Sequence, residues 1–421
     1  MTRLLNVNTY HHRRGGSDVV YLEHGAMFQA LGFECGWFAM KHPRNEPTPW
    51  AEHFIDELEF GHDYSPAQKL VMAAKVVWSW EARHKLARLL DRFPADVAHL
   101  HCIYHHHSPA ILPVLAERGV PAVMTAHDLK IACPNYKMRT HDGPCERCRE
   151  GGVWNVVRHR CVQGSLAASA VVAVESGLHR ALGTWRRNLS AIVCPSRFFV
   201  EKFVEWGWPR EQFVHVPNWV DADRLEPGFE PGSYALYFGR LILDKGLATL
   251  LRAAHAAALP LKLAGSGPDE AALRALAAEL GADVEFLGYR SGAALHDAVR
   301  GARCVVLASE LYENAPMMLL EAMALGKPVI GARIGGIPEV IDEGATGWLF
   351  DSGRVDALAE RLAAVKALPD AALAGMGRAA RAHVEQQFSR ERYLQAMLAL
   401  YARLGVRVPA AAGLPGKPVA A

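Results

Sequence analysis

Two glutamates eight residues apart are the first side chains in this sequence whose types and spacing suggest chemistry. Glu313 and Glu321 lie in the stretch SELYENAPMMLLEAMALG, which follows the apolar run Cys304–Ala308. The run predicts a buried strand, Pro316 suits the first turn of a helix, and Gly326 suits its end. We therefore expect Glu313 in a loop at the end of a strand and Glu321 about two turns inside the following helix.

The predicted start of that helix suits an anion. The free backbone N–H groups near Ala315–Met318 and the helix dipole together favour a group such as a diphosphate. Carboxylates accept hydrogen bonds from sugar hydroxyls, so one glutamate on each side of a phosphate site indicates a sugar at one end and a ribose at the other. An ordinary amphipathic helix with two solvated acids is the alternative interpretation.

Two basic residues follow another apolar run in the second half of the chain. Arg240 and Lys245 come after Tyr234–Phe238, in the segment GRLILDKG. When a bond to a diphosphate breaks, negative charge grows on the leaving oxygen, and fixed positive charge lowers the barrier by stabilising it. Arginine can also bind two phosphate oxygens at once. Both residues are therefore candidates for diphosphate binding and catalysis, although Lys245 alone would also suit an ordinary solvated turn.

The first half of the chain offers small and imidazole side chains at the ends of predicted strands. Gly15 and Gly16 fall in the first strand-to-helix loop, where glycine lets the backbone approach a ligand closely. His127 follows the apolar run Pro121–Thr125, and a place after a strand directs it towards the ligand-binding edge of a parallel sheet. His101 also ends a strand, where it either lines a site or caps the strand.

Alternating strands and helices must position these residues, and this alternation is typical of an α/β protein with parallel sheets. The predicted strands are 4–9, 96–102, 121–125, 191–195, 234–238, 259–264, 284–287, 304–308 and 328–330. Residues 215–233 hold three prolines and two glycines without periodicity, which indicates a linker between two domains. Two doubly wound domains joined there would leave a cleft between the carboxyl ends of their strands, where such folds bind ligands.

Several motifs, taken together and in order, resemble the donor site of the retaining glycosyltransferases of family 4, which have the GT-B fold. The resemblance covers nearly the whole chain except its tail. It is carried by Glu313-x7-Glu321 with the following AMALGKPV, FGRL at 238–241 with Lys245-Gly246, GSGP at 265–268, GGIPE at 335–339, and Gly344-x2-Gly347-Trp348-Leu349. The implied fold is a pair of Rossmann-like domains facing a central cleft.

The resemblance implies a role for each candidate residue. Glu313 would contact the donor sugar hydroxyls and Glu321 the ribose of a UDP- or GDP-sugar, while Arg240 and Lys245 would hold the diphosphate. The implied catalytic residues are these last two with Glu313 and with His127, which would lie beside the donor sugar and the reacting centre. The remaining implied donor-binding positions are Gly15, Gly16, Arg290, Asn314, Ala315, Pro316, Met317 and Met318.

The implied reaction is hexosyl transfer to a glycan or polyprenyl-diphosphate-linked acceptor, with retention at the anomeric carbon and no catalytic metal. The family implies a front-side, ion-pair-like displacement, and no carboxylate in the sequence stands out as a covalent nucleophile. The implied organisation is an acceptor-side domain at 1–220, a donor-binding domain at 221–385, a C-terminal helix at 386–405 that packs back towards the first domain, and a disordered tail at 406–421.

Four cysteines within 29 residues form a separate cluster in the sequence. Cys133, Cys145, Cys148 and Cys161 are spaced Cys-x11-Cys-x2-Cys-x12-Cys, with His141 and His159 nearby. Four thiolates suit a structural zinc site, whereas reduced buried thiols, a redox disulfide and an iron–sulfur cluster are the alternatives. A subset of bacterial family 4 enzymes of exopolysaccharide, capsule or O-antigen assembly has a similar segment, which implies that residues 133–161 shape the acceptor side.

Composition and charge narrow the partners and the location. The 421 residues carry 46 Lys and Arg against 44 Asp and Glu, a net charge of +2, which gives no general case for nucleic-acid binding. No apolar stretch approaches the roughly 20 residues of a membrane span, and the first residues lack a signal-peptide pattern, so we expect a cytoplasmic protein. Tryptophan and basic residues in 69–93 and 178–187 predict either peripheral contact with the inner face of the membrane or ordinary surface helices.

Other functions stay open on the sequence alone. A GT-B nucleotide-sugar epimerase or a sugar phosphorylase would share the donor motifs, and a non-catalytic scaffold would bind the sugar nucleotide without turnover. The intact set of Arg240, Lys245, Glu313 and Glu321 favours an enzyme over a scaffold. A nicotinamide-dependent oxidoreductase is disfavoured, because Gly15-Gly16 does not supply the Gly-x-Gly-x-x-Gly pattern.

Overall fold

The first half of the chain forms a parallel sheet of six strands. A computed structural model describes residues 1–58, 64–140 and 143–409. The strands of this half are β1 Arg3–Val7, β2 Glu34–Phe38, β3 Val97–Leu100, β4 Ala122–Thr125, β5 Arg139–Thr140, β6 Gly143–Pro144, β7 Ala191–Cys194 and β8 Phe213–His215. The order across the sheet is β2-β1-β3-β4-β7-β8, while β5 and β6 form a separate antiparallel hairpin.

The second half forms another parallel sheet of six strands. They are β9 Ala235–Phe238, β10 Leu261–Ala264, β11 Val284–Gly288, β12 Cys304–Leu307, β13 Val329–Ala332 and β14 Gly347–Phe350. Their order is β11-β10-β9-β12-β13-β14. Both orders place the first strand of the half inside the sheet, so the chain winds outwards in both directions from it. The predicted α/β fold with two doubly wound domains is confirmed.

Helices connect the strands and cover the sheets. In the first half they are α1 Gly16–Ala30, α2 Pro66–Val77, α3 Trp80–Arg92, α4 Leu112–Glu117, α5 Arg147–Gly151, α6 Asn155–Arg158, α7 Leu166–Leu182, α8 Thr184–Asn188 and α9 Arg197–Glu205. In the second half they are α10 Leu247–Ala256, α11 Glu270–Leu280, α12 Gly292–Arg300, α13 Met317–Ala324, α14 Val355–Ala367, α15 Asp370–Gln387 and α16 Arg390–Arg403. Among the described residues, none of these helices has both the length and the apolar character needed to cross a bilayer.

The basic amphipathic pattern at 69–93 folds as two helices with a break between them. Trp78 and Ser79 have extended backbone conformations. The Ser79 hydroxyl accepts a hydrogen bond from the Ala82 N–H over 3.1 Å, so it caps α3 in the usual way. The apolar periodicity continues through the break, which is why the pattern alone does not reveal it.

The last helix crosses from the second domain to the first. The Val220 N–H donates to the Phe388 carbonyl over 2.9 Å, where the outgoing and returning chains meet. Helix α16 then packs on the first domain, where Tyr393 and Tyr401 share an apolar cluster with Leu4 and other residues of that domain. Val406 is 7% exposed in the same cluster, so the chain stays packed beyond the predicted start of the tail at 406. Residues 410–421 of the predicted tail lie outside the described residues.

Candidate active site

The loop after β9 carries the predicted phosphate-binding residues. Arg240 lies just after the strand, a short 3-10 turn ends at Lys245, and Gly246 precedes α10. Gly246 has φ +68°, and a Cβ atom there would lie 1.8 Å from the carbonyl oxygen of Ala308. Only glycine allows this close approach. It packs the loop after β9 directly against the loop that carries Glu313.

Lys245 and Glu313 form an ion pair across these two loops. Their Nζ and Oε1 atoms are 2.5 Å apart, and the Ser309 hydroxyl donates a hydrogen bond to the same carboxylate oxygen. Glu313 is 9% exposed, whereas Arg240 lies exposed in the loop after β9. A ligand that carries both phosphate and hydroxyl groups could replace this ion pair, with phosphate on the lysine and hydroxyl groups on the glutamate.

The glycines of the GGIPE motif brace the backbone around Glu313. The Gly336 N–H donates to the Glu313 carbonyl over 2.8 Å. A Cβ atom on Gly336 would lie 2.0 Å from the Asn314 carbonyl oxygen, so no larger residue fits without moving the loop. The motif therefore packs on the loop before α13 and holds Glu313 in place from behind.

Helix α13 begins one residue later than the sequence predicts. Pro316 has ψ 113° and is the residue before the helix, while Met317 and Met318 are its first two residues. Glu321 is the fifth helical residue, so it lies little more than one turn inside the helix and not two. Burial raises the pKa of Glu321 to about 7.

His127 lies two residues after the end of β4 and is partly exposed. Its Nε2 atom is 2.8 Å from Nδ1 of His101, which is completely buried. Burial lowers the pKa of His127 to about 4, so the imidazole is neutral at physiological pH. His101 is thus the hydrogen-bond partner of the His127 Nε2 atom.

Asn314 joins the two domains beside His127. Its Nδ2 atom donates to the carbonyl of Ala126 over 2.8 Å, and its Oδ1 atom accepts from the Ser196 hydroxyl over 2.9 Å. The family resemblance implies only donor binding for Asn314. The structure gives its side chain a second task, which is to hold the end of β4 against the loop that carries Glu313.

Three predicted donor-binding residues lie in more open surroundings. Gly15 caps α1 with an extended backbone, and its N–H donates to the Asp18 carboxylate over 3.1 Å. A Cβ atom on Gly16 would meet no atom within 4 Å, so a ligand has room to approach it. Arg290 is exposed in the loop after β11. In contrast to these three, the predicted donor-binding residue Ala315 is buried before α13, where its carbonyl accepts a hydrogen bond from the Asn218 side chain.

Two polar residues near the site are not among the candidates that the sequence predicts. Asp128 follows His127 directly, and burial raises the pKa of its carboxyl to about 6. Arg139 of β5 reaches across the cleft to Asp244 and Glu310, with N–O distances of 3.1 Å and 3.0 Å. The sequence offered a signal for Asp128, which is its place beside His127. It offered none for Arg139, because its partners lie more than 100 residues away in the chain.

The four clustered cysteines are free thiols. Burial, with a smaller contribution from neighbouring cysteines, raises the pKa of Cys133 to about 12 and that of Cys148 to about 11. Within the described residues, which leave out His141, no group of three or more Cys, His, Asp or Glu side chains is placed to hold a metal ion. Structural zinc on Cys133, Cys145, Cys148 and Cys161 stays a prediction.

Two family profiles match this chain, one to each half. The profile described as Glycosyltransferase Family 4 matches residues 14–224, and the profile described as Glycosyl transferases group 1 matches residues 222–383. The chain belongs to glycosyltransferase family 4.

Curated relatives of this family member match it over parts of their length. N-acetyl-alpha-D-glucosaminyl L-malate synthase of Bacillus anthracis is 37% identical over 144 residues, which are 34% of this chain and 36% of the relative. A GDP-mannose-dependent phosphatidylinositol monomannoside mannosyltransferase of Corynebacterium glutamicum is 30% identical over 238 residues, 50% of this chain and 61% of the relative. The chain thus matches between 36% and 61% of the length of these two relatives.

Solved structures share the fold of this family 4 chain over almost its full length. Sucrose-phosphate synthase from Thermosynechococcus elongatus aligns with a TM-score of 0.68 and 20% identity, covering 96% of this chain and 99% of that one. HepE of Anabaena, solved in complex with UDP and glucose, aligns with a TM-score of 0.66 and 16% identity, covering 96% and 100%. The likeness establishes the GT-B fold.

Proposed function

We propose that this chain transfers a hexosyl group from a UDP- or GDP-sugar to a glycan or polyprenyl-diphosphate-linked acceptor, with retention at the anomeric carbon. The observation that carries the proposal is the Lys245–Glu313 ion pair at the mouth of two strand-end loops, joined through the Asn314 side chain to the segment that ends in His127. A cationic group, a carboxylate and a neutral imidazole are thereby brought together between the domains.

The charges of this site suit departure of a nucleoside diphosphate. Arg240 and Lys245 would neutralise the charge that develops on the leaving oxygen, and the N-terminal end of α13 would add its dipole. Glu313, released from Lys245, would accept hydrogen bonds from sugar hydroxyls. His127 would contribute a hydrogen bond without adding a charge, because burial keeps it neutral. Glu321 would accept hydrogen bonds from the ribose.

The names of relatives support a sugar-nucleotide donor and leave its identity open. One is described as GDP-mannose-dependent, and one neighbour with the same fold was solved with UDP-glucose. A relative in Escherichia coli is described as a putative colanic acid biosynthesis glycosyltransferase. A role in exopolysaccharide, capsule or O-antigen synthesis for this chain is part of the proposal.

We also propose peripheral contact with the inner face of the membrane. Leu70 of α2 and Trp80 of α3 are 72% and 64% exposed, and Leu182 of α7 is 47% exposed. Exposed apolar and tryptophan side chains next to basic residues suit a lipid interface. Sedimentation with vesicles that contain phosphatidylglycerol tests this, and failure to bind them would contradict it.

Transfer is tested with purified protein, a panel of UDP- and GDP-sugars, and lipid-linked acceptors extracted from bacterial membranes. We expect acceptor-dependent release of one nucleoside diphosphate and a product whose anomeric configuration, measured by proton NMR, matches that of the donor. Lys245→Ala should lower the rate by at least about 100-fold, as expected when a group that stabilises developing charge is removed. An exposed lysine of the same domain provides the control variant Lys366→Ala, which should keep the wild-type rate.

Other outcomes of this experiment identify the alternatives. Conversion of the sugar nucleotide without an acceptor would indicate an epimerase. Binding of the nucleotide with no turnover on any acceptor would favour a scaffold.

A further inference from the structure

The hairpin of the cysteine-rich segment contacts the donor-binding domain. Arg139 on β5 donates from Nε to Asp244 and from Nη2 to the Glu310 carboxylate, and it also donates to the Glu310 carbonyl. Its side chain is 12% exposed. Lys137 of the same segment lies 2.7 Å from the second carboxylate oxygen of Asp244. One arginine of the first domain therefore holds two loops of the second.

These two loops carry the proposed diphosphate and sugar contacts. Asp244 directly precedes Lys245, and Glu310 lies three residues before Glu313. The Glu310 N–H also donates to the Asp244 carbonyl over 3.0 Å. Arg139 thus binds both loops at their junction, close to the Lys245–Glu313 ion pair.

The charges at this contact affect how an anionic ligand would bind beside it. Asp244 and Glu310 place two negative charges beside the lysine that would bind a diphosphate. Without positive partners these carboxylates would repel the diphosphate and compete for Lys245. Arg139 and Lys137 supply those partners from the opposite domain.

A second contact fixes the other end of the hairpin. Glu146 accepts from the Lys202 ammonium over 2.8 Å and from the Trp206 indole N–H over 3.3 Å, both within the first domain. Its carboxylate also accepts from the Tyr312 hydroxyl over 3.3 Å, next to Glu313. The cysteine-rich segment is therefore held both to its own domain and to the loops that carry Lys245 and Glu313.

We propose that Arg139 is a positioning residue for donor binding: it sets the spacing of Lys245 and Glu313 and neutralises the acidic groups beside them, so that the cysteine-rich segment controls affinity for the diphosphate. This assigns the segment a role at the donor side, in addition to the acceptor side implied by the sequence. The inference rests on the proposed function, since it assumes a diphosphate on Lys245.

The test compares nucleotides that differ in one phosphate. Binding of UDP, GDP, UMP and GMP is measured by calorimetry for the wild type, Arg139→Ala, Arg139→Lys and the control Arg158→Ala. Arg158 is an exposed arginine of α6 in the same segment. We expect Arg139→Ala to weaken diphosphate binding at least about tenfold, as for loss of a charge-assisted contact network, and monophosphate binding by much less.

Arg139→Lys should fall between the wild type and alanine, because a lysine keeps the charge but cannot span two carboxylates and a carbonyl. It also serves as the test variant if the alanine variant does not fold. Equal loss for mono- and diphosphates would mean a general structural role and would overturn the inference, as would unchanged diphosphate affinity. If the wild type binds no nucleotide, the proposed function itself fails, and the inference fails with it.

Discussion

The ionised carboxylate of Glu321, which would bind the ribose, is the form that burial makes unfavourable for the stability of the ligand-free protein. Burial of this carboxyl raises its pKa from 4.5 to about 7. A raised folded-state pKa means that stability is fully present below the unfolded value of 4.5 and is lost as the pH rises towards 7. A shift of this size corresponds to a few kcal/mol, about 3, in favour of the protonated form.

Glu321→Gln should therefore stabilise the ligand-free protein more at pH 8 than at pH 5, because glutamine removes the buried charge. The measurement is the melting temperature of variant and wild type at both pH values. Glu279→Gln, at an exposed position on α11, is the control and should show no such pH dependence. A variant that is less stable at pH 8 would contradict the burial argument.

The same carboxyl predicts how donor binding depends on pH. If Glu321 accepts hydrogen bonds from the ribose, binding favours the ionised form, so nucleotide affinity should increase as the pH rises from 6 to 8. Calorimetry at both values measures this in the wild type, and Glu321→Gln should bind weakly at each. Wild-type affinity that falls with increasing pH would place Glu321 outside the ribose site.

The sequence could predict the site residues whose positions are set by their distance from a strand, and not those whose roles depend on contacts between distant parts of the chain. Lys245, Glu313 and His127 each follow an apolar strand at a fixed distance, so their places at the sheet edge can be predicted. The partner of His127 could not be predicted, because His101 follows the neighbouring strand β3 and lies 26 residues away in the chain. The bridging role of Asn314 depends on how the two domains dock, and local spacing carries no information on that.

Among the elements, the loop that joins β9 to α10 shows how tightly the site is built. Gly246 combines a left-handed backbone with contact to the Ala308 carbonyl. Gly281, after α11, has a similar φ of +60° but would meet no atom within 4 Å with a Cβ. Substitution of either glycine would strain the backbone, but only at Gly246 would the new side chain also collide with a neighbouring loop.

Gly246→Ala should lower the free energy of unfolding by clearly more than Gly281→Ala. Both changes carry the cost of the left-handed conformation, about 1 kcal/mol. Only Gly246→Ala also forces apart the loops that carry Lys245 and Glu313. Urea denaturation measures the stability, and nucleotide affinity should fall for Gly246→Ala alone. Equal losses for the two variants would show that the contact with Ala308 does not constrain the loop.

Element prediction succeeds or fails according to the length and pattern of each run. The parallel strands β3, β4, β7, β9, β10 and β12 are short apolar runs and match prediction closely. Of the parallel strands, β2, β8 and β14 are absent from the predicted set. β8 has only three residues, and β2 and β14 each contain a glycine and a tryptophan, so neither reads as a plain aliphatic run.

At the scale of the whole molecule, a chain of buried polar groups joins the last helix to the first domain. The Tyr401 hydroxyl of α16 lies 2.7 Å from Nδ1 of His99 and 3.1 Å from Nε2 of His24. The Tyr393 hydroxyl lies 2.8 Å from Nδ1 of His24. A hydroxyl can donate one hydrogen bond and accept another, so Tyr401 satisfies both neutral imidazoles at once.

Tyr401→Phe should destabilise the protein by about 2–4 kcal/mol, because it leaves two buried nitrogens unpaired. Tyr393→Phe leaves one and should cost about half as much. Tyr289→Phe, at a position 76% exposed, is the control for the change in residue type. Urea denaturation gives all three values. A cost for Tyr401→Phe no larger than that of the control would mean that the hydroxyl bridge contributes little.

Burial of many histidines predicts sensitivity to acid. Burial lowers the pKa of His24 and His107 to about 3 and that of His127 to about 4. A lowered folded-state pKa means that stability is present above the unfolded value of 6.5 and is lost as the pH falls towards the folded value. Each such histidine contributes up to about 1.4 kcal/mol of loss per pH unit.

The free energy of unfolding should therefore fall steeply as the pH decreases from 6.5 to 5. Its slope against pH should correspond to the uptake of several protons on unfolding. His107→Phe should reduce that slope by about one proton, since it removes one buried titrating group. His84→Gln, at an exposed position on α3, should leave the slope unchanged. Urea denaturation at a series of pH values measures each slope. A flat wild-type profile would contradict the neutral burial of these imidazoles.

Binding of a nucleoside diphosphate to Lys245 is tested most directly by calorimetric titration of the wild type, Lys245→Ala and Lys366→Ala with UDP and GDP. If Lys245 holds the diphosphate, one nucleotide should bind the wild type and Lys366→Ala with equal affinity. Its binding to Lys245→Ala should be at least about tenfold weaker, as for loss of one charged contact. Equal affinity of Lys245→Ala and the wild type, or no binding of either nucleotide, would show that Lys245 does not hold a nucleoside diphosphate.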